Sequence, residues 1–206
     1  MLARIHGRPF LSFILDQLDS NGLGSVVLST GYLGEQIESE YGSSYRSLRL
    51  TYSREKAPLG TAGGLRLALP LVTSESALVL NGDSFCDVDF EAFWDFHRDH
   101  DRSPTLLLTE VSDTARYGRV EIDDSCNVVA FREKTGAVGA GRINAGVYLF
   151  SRSFLQSIPS DRALSLETDV LPAWVGRGLR GYPHGERFID IGTPESFAAA
   201  GNFFWP

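Results

Sequence analysis

Two aspartates in this chain close short apolar runs. Leu78-Val79-Leu80-Asn81-Gly82 stops at Asp83, and Phe188-Ile189 stops at Asp190, with Ile191-Gly192-Thr193-Pro194-Glu195 behind it. A carboxylate at the carboxyl end of a buried strand is where an α/β fold can hold a hard cation and the phosphate that the cation neutralises. If the two strands are neighbours, Asp83 and Asp190 can converge on one divalent ion. Asn81-Gly82 also suits a hairpin turn, and Asp190 also suits a local turn contact. A third segment, Pro58-Leu59-Gly60-Thr61-Ala62-Gly63-Gly64, is rich in glycine. Glycines between a strand and a helix let backbone approach a flat or phosphorylated ligand, and the helix start offers free N–H groups. Tight helix packing would use the same residues. The segment is neither a Walker loop nor a dinucleotide fingerprint. Polar residues also sit beside apolar runs in Tyr117-Gly118-Arg119-Val120-Glu121, Arg132-Glu133-Lys134 and Asn144-Ala145-Gly146-Val147-Tyr148-Leu149-Phe150. Such mixtures of amide, carboxylate and backbone donors suit sugar hydroxyls, although each alone also reads as a turn or a surface pair.

The elements that must position these groups follow from periodicity. Apolar residues at 10, 11, 13, 14, 15 and 18 predict an amphipathic helix opened by Pro9 and closed by Asn21-Gly22. Ser25–Thr30 reads as a buried strand, 34–41 as a short helix, Leu48–Ser53 as a strand, Thr61–Leu69 as a helix stopped by Pro70, and Ala77–Leu80 as the strand before Asp83. The aromatics Phe90, Phe93 and Trp94, with His97, recur at helical spacing, so strand, aspartate, then helix is favoured over a hairpin at Asp83. Alternating strands and helices joined by short loops argue a Rossmann-like α/β fold, a mixed but mostly parallel sheet with helices on both faces. Beyond about residue 104 the pattern becomes antiparallel, with strands at 105–109, 118–122, 128–131 and 145–150. A helix near 164–175, a strand at 188–191 and a closing helix from Pro194 complete residues 1–206 as one continuous domain.

Composition narrows the function. Charged residues make up 22% and the net charge is −7, with no basic stripe, which argues against nucleic acid as the main ligand. No apolar run approaches a membrane span, and the N-terminus carries no secretory signal pattern. Cys86 and Cys126 have no zinc-like spacing and read as free thiols in a reducing cytoplasm. His97-Arg98-Asp99-His100-Asp101 looks like a metal tract but reads as the solvated end of a charged helix. Phe203-Phe204-Trp205 either folds back on the core or seals an interface between copies of the chain.

In order, Leu-Gly-Thr-Ala-Gly-Gly, Leu-Asn-Gly-Asp, Tyr-Gly-Arg-Val, Glu-Lys, Asn-Ala-Gly-Val-Tyr and Phe-Ile-Asp-Ile-Gly-Thr-Pro-Glu-Ser run as they do in the sugar-1-phosphate nucleotidyltransferases. The chain resembles that family over essentially its whole length. The short stretch after Asp-Ile-Gly-Thr-Pro is similar to the guanylyltransferases that act on heptose 1-phosphate. The resemblance implies the nucleotide-diphospho-sugar transferase type of fold, and transfer of a nucleotidyl group, GMP from GTP, to a sugar 1-phosphate with release of pyrophosphate. It implies Mg²⁺ held by Asp83 and Asp190, and a nucleotide base against Leu59, Gly60 and Thr61. Sugar hydroxyls would meet Gly118, Glu133 and Asn144, with Lys134 facing the sugar phosphate.

Two departures qualify this. Thr135 stands where the family often has proline after Glu-Lys. More importantly, the family places a strand, a Gly-x-Gly-Thr-Arg loop and a Pro-Lys-Pro segment ahead of a stretch like Gly7-Arg8-Pro9, and here Met1 falls about where that segment would end. That strand is central in the family's sheet, so the expectation is a gap with exposed apolar surface. The alternatives are a chain lacking its upstream part, a non-catalytic nucleotide-sugar-binding relative, and a metal-dependent glycosyltransferase using Asp83, Asp87 and Asp89.

Overall fold

The computed structural model describes residues 2–132, 139–160 and 162–205. The chain opens with a two-stranded ribbon, β1 (Arg4–Ile5) and β2 (Arg8–Pro9). Pro9 then caps α1 (Phe10–Ser20), which buries Phe10, Leu11, Phe13, Ile14, Leu15 and Leu18 along one broad face. Next come β3 (Ser25–Thr30), α2 (Gly34–Tyr41), β4 (Ser44–Tyr45) and β5 (Leu48–Arg54). They build a three-stranded sheet in the order β3-β5-β4, with β3 and β5 parallel. From the end of β5 the chain enters α3 (Gly60–Ala68), followed by β6 (Ser76–Leu80), β7 (Ser84–Cys86) and α4 (Phe90–Asp99).

The rest supplies β8 (Thr105–Val111), β9 (Arg119–Ile122), β10 (Val128–Arg132), β11 (Gly141–Ser151) and α5 (Arg152–Ser157). A π-helical turn at Leu166–Val170 leads into α6 (Leu171–Trp174), and β12 (Arg180–Gly185), β13 (Phe188–Asp190) and α7 (Pro194–Phe204) end the chain. Strands β10-β9-β11-β8-β12 form the larger sheet, with β6 also on β11, while β13 pairs β7 alone. Neighbouring residues on β8 and β11 divide between two cores. Leu107, Val147 and Leu149 face the cluster that holds α1 and Phe93 of α4. Leu106, Leu108, Tyr148 and Phe150 face the one that holds Ala62 of α3 and Phe154 of α5. That is the two-sided burial expected of helices on both faces.

The α/β class holds; the balance of ladders differs from the sequence reading. Among the described residues the parallel ladders are β3 with β5 and β8 with β12, and the others are antiparallel. Strands β3 and β6 belong to separate sheets, each pairs on one side only, and Val26, Val27, Leu78, Val79 and Leu80 are half-buried. Three further features depart from or go beyond the sequence reading. A short strand, β7, intervenes between Asp83 and the aromatic helix, yet it pairs β13 rather than folding back on β6, so no hairpin forms. His97 is wholly buried rather than solvated, wedged between Thr105 and Ser76. The stretch after Gly178 is a strand, because an edge position beside β8 tolerates Pro183 and the glycines around it. Both cysteines are free. The terminal aromatics fold back, with Phe204 stacked on Phe13 at 4.0 Å and Trp205 edge-on to His6.

Candidate functional site

Strands β7 and β13 bring the two aspartates together. Asp190 stands opposite Ser84 in the ladder, and the Ile191 N–H donates to the Asp83 carbonyl at 2.8 Å. The carboxylates differ in state. Asp83 is exposed, and its carboxylate has no hydrogen bond or ion pair among the described residues. Asp190 is engaged: the Tyr117 hydroxyl donates to Oδ2, the Arg116 guanidinium lies 3.1 Å from Oδ1, and the Gly192 N–H donates to Oδ1 at 3.0 Å. The local turn contact is therefore present as well. Burial first, and then the hydrogen bond to Asp190, push the Tyr117 phenol up to about 12, so it stays a donor at neutral pH. Tyr117 in turn fixes Gly118 next to the end of β10, where an added methyl carbon would sit 3.2 Å from the Arg132 carbonyl oxygen.

The glycine loop is shaped by packing against its neighbours. Gly60 has φ +73°, and a methyl carbon there would lie 2.4 Å from the Leu164 carbonyl oxygen. Gly63 and Gly64 serve packing: side chains there would strike Leu59 and Glu55. The helix start is less open than expected, because the Ala62 and Gly63 N–H groups both donate to the Leu164 carbonyl, at 3.0 and 3.4 Å. Among the described residues the N–H groups of Gly60 and Thr61 stay unengaged. Leu59 is held by its own N–H donating to Glu55 at 3.0 Å.

Between these regions the β8–β11 register slips. Asn144 pairs Leu108 while Tyr148 pairs Leu106, so β11 carries two extra residues, with Gly146 at φ +74° inside the bulge. Only glycine fits: an added methyl carbon would be 2.6 Å from Ser84 Oγ and 3.0 Å from the Asn81 amide. The bulge re-aims Asn144, a recurrent device beside binding sites. Asn144 Oδ1 accepts the Gly146 N–H at 3.1 Å, and its amide nitrogen donates to the Tyr148 hydroxyl at 2.8 Å. Tyr148 reaches Glu167 at 3.2 Å, and Thr61 Oγ1 reaches the other Glu167 oxygen at 2.9 Å.

A continuous path of contacts therefore joins Thr61, Glu167, Tyr148, Asn144, Gly146, Ser84, Asp83, Asp190, Tyr117 and Gly118. Glu133 and Lys134 lie outside the described residues. The sequence reading does not reach Glu167 or the Tyr148 hydroxyl: Glu167 stands among other polar residues, Ser165, Thr168 and Asp169, and carries no local signal. Asp87 and Asp89 are occupied structurally, Asp87 by Arg187 at 2.8 Å and Asp89 as the N-cap of α4. The two acids that the glycosyltransferase alternative adds to Asp83 thus have structural partners of their own. Among the described residues no three His, Cys, Asp or Glu side chains cluster as a metal site. A magnesium ion is compatible with what is present, since it is commonly held by one or two carboxylates with phosphate oxygens completing the shell.

Two aspartates at paired strand ends, a glycine loop and a bulged amide cluster, all on an α/β scaffold, define an α/β protein with a polar ligand site beside its strand ends. The chain belongs to the nucleotidyl transferase family, whose family model matches residues 2–204. It is 34% identical over 200 residues to a D-glycero-alpha-D-manno-heptose 1-phosphate guanylyltransferase of Aneurinibacillus thermoaerophilus, covering 97% of this chain and 86% of that protein. A mannose-1-phosphate guanylyltransferase of Mycobacterium tuberculosis is 37% identical over 195 residues, which cover 93% of this chain. The chain spans about half of that longer relative, 54% of its length. Among solved structures, HddC from Yersinia pseudotuberculosis superposes with a TM-score of 0.88 at 30% identity, covering 98% of this chain and 88% of that one. The same protein has also been solved with GMP-PN. Among the described residues no helix is long and apolar enough to cross a membrane.

Proposed function

We propose that the protein transfers GMP from GTP to a sugar 1-phosphate, D-glycero-D-manno-heptose 1-phosphate, releasing pyrophosphate to make a GDP-sugar in the cytoplasm. The observation that carries this reading is the continuous path from Thr61 to Asp190, which puts the glycine loop, the amide cluster and two carboxylates in one site. A sugar-phosphate oxygen attacks the α-phosphorus of GTP as the bond to pyrophosphate breaks, so catalysis needs alignment and charge neutralisation rather than a covalent intermediate. Gly60 and Thr61 offer backbone N–H groups to the nucleotide, and the absence of a side chain at Gly60 lets the Leu164 carbonyl close against the loop. In this reading Gly118, Glu133 and Asn144 meet the sugar hydroxyls, and Lys134 serves the sugar phosphate. Asp83 and Asp190 would hold Mg²⁺, which would spread the charge developing on the phosphates. Arg116 shields Asp190 in the free protein and must yield when a metal is bound.

The test is pyrophosphate release with GTP, Mg²⁺ and heptose 1-phosphate, in the wild type and in Asp83→Ala. Release that the substitution abolishes supports the reading. Undiminished release in Asp83→Ala removes the metal assignment, and faster release with mannose 1-phosphate moves the substrate to mannose. Tight GDP-sugar binding without turnover would favour the non-catalytic alternative.

A further inference from the structure

The path between the glycine loop and the amide cluster crosses a single side chain, Glu167. Its Oε2 accepts from Thr61 Oγ1 at 2.9 Å and from Ser165 Oγ at 3.2 Å, and its Oε1 accepts from the Tyr148 hydroxyl at 3.2 Å. The proton directions follow from the surroundings. Thr61 Oγ1 already accepts the Leu166 N–H at 2.7 Å, so its own proton points to Glu167. Tyr148 Oη accepts from Asn144 at 2.8 Å, and its single proton points to Glu167 Oε1. Tyr148 is wholly buried, and burial raises its phenol far above the ordinary range, so that proton stays in place. A carboxylate can accept on both oxygens at once, whereas an amide of the same shape has one acceptor and one donor.

We propose that Glu167 is a positioning residue that couples the two halves of the site, holding the Thr61 loop and the Asn144–Tyr148 cluster in one arrangement so that each ligand's affinity depends on the order of the other half. The naming of those ligands as nucleotide and sugar phosphate rests on the guanylyltransferase reading; the coupling itself does not. Glu167 touches neither ligand in this scheme. Its effect travels through two side chains bonded to its opposite oxygens, and coupling between sites is reciprocal by linkage.

The experiment measures GTP affinity by calorimetry, with Mg²⁺ present, for wild type, Tyr148→Phe, Glu167→Gln and the double variant. Tyr148→Phe alters the sugar side only, yet it should weaken GTP binding about three- to tenfold, the effect of one hydrogen bond. Glu167→Gln should do the same, and in that background Tyr148→Phe should add nothing. A space-filling role for Glu167 would be preserved by the isosteric glutamine, so wild-type affinity in Glu167→Gln overturns the proposal. So does a Tyr148→Phe effect that is absent in wild type or multiplies with that of Glu167→Gln. If the wild type does not bind GTP, the nucleotide reading fails but the coupling remains measurable. Urea unfolding of Thr61→Val, Tyr148→Phe and their double variant should then be non-additive, and additive values would refute it.

Discussion

Acid should weaken this protein through one buried histidine. Thr105 Oγ1 donates to the Ser103 carbonyl at 2.8 Å, so it must accept from His97 Nδ1–H at 3.0 Å, which leaves Nε2 to accept from Ser76 Oγ at 3.2 Å. The neutral imidazole is fully used. A second proton on Nε2 would oppose the Ser76 hydroxyl in a site with no exposure. Burial first, helped by the Arg102 charge, lowers the pKa from the usual 6.5 to about 4. The unfolded chain therefore binds this proton more tightly than the folded one. The contribution of His97 is complete above about pH 6.5 and is lost as pH falls towards 4, reaching about 3 kcal/mol in total. At about pH 5, roughly 1.5 units below the unfolded value, the loss is about 2 kcal/mol. Urea unfolding of wild type and His97→Gln at about pH 7.5 and about pH 5 isolates this part, since every other titrating group is common to both. Wild type should lose about 2 kcal/mol more than the variant over that interval. Equal losses would refute the buried, neutral assignment and the anchoring of α4 to β6 and β8 that depends on it.

Two further expectations test the site and its frame. Gly60→Ala must place an L-residue at φ +73° with its methyl carbon against the Leu164 carbonyl, so it should cost about 2 kcal/mol or more in urea unfolding. A change below about 0.5 kcal/mol would mean the loop relaxes freely. Burial pushes the Cys86 thiol up to about 12, whereas Cys126 is only half-buried. A thiol-reactive disulfide near pH 8 should therefore label one cysteine in the native protein and both in denaturant, and rapid native labelling of Cys86 would contradict the packing around β7.

Legibility in the sequence followed how local each feature is. The helices at 10–20 and 34–41 and strands β3, β5 and β6 stand out because their patterning lies within the segment itself. Thr193-Pro194 is local in the same way, and the cap there is a reciprocal one, Thr193 and Ser196 each bonding the other's backbone. Strand β12 was hidden. Arg180-Gly181-Tyr182-Pro183-His184-Gly185 has the composition of a loop, and it is extended only because β8 offers a parallel edge. His97 was misread for a similar reason: the charge of its neighbours says surface, while its own helical position points inward towards Ser76 and Thr105.

The site divides along the same line. Asp83, Asp190 and Gly60 announce themselves because each ends or bends an element, and that is visible locally. That the two aspartates meet depends on β7 pairing β13 across roughly a hundred residues of chain, which one sequence cannot state. Gly146 is the instructive case. A lone glycine inside an apolar strand is itself a cue for a bulge, and the bulge turns Asn144 from a strand residue into one aimed at Tyr148. Once Tyr148 is directed at Glu167, the acid's value lies in accepting from both sides, and nothing in Ser165-Leu166-Glu167-Thr168 predicts that. The least legible residue is therefore the one whose partners lie in two separate segments, Thr61 at a separation of 106 residues and Tyr148 at 19. Its function is fixed by the geometry that joins them.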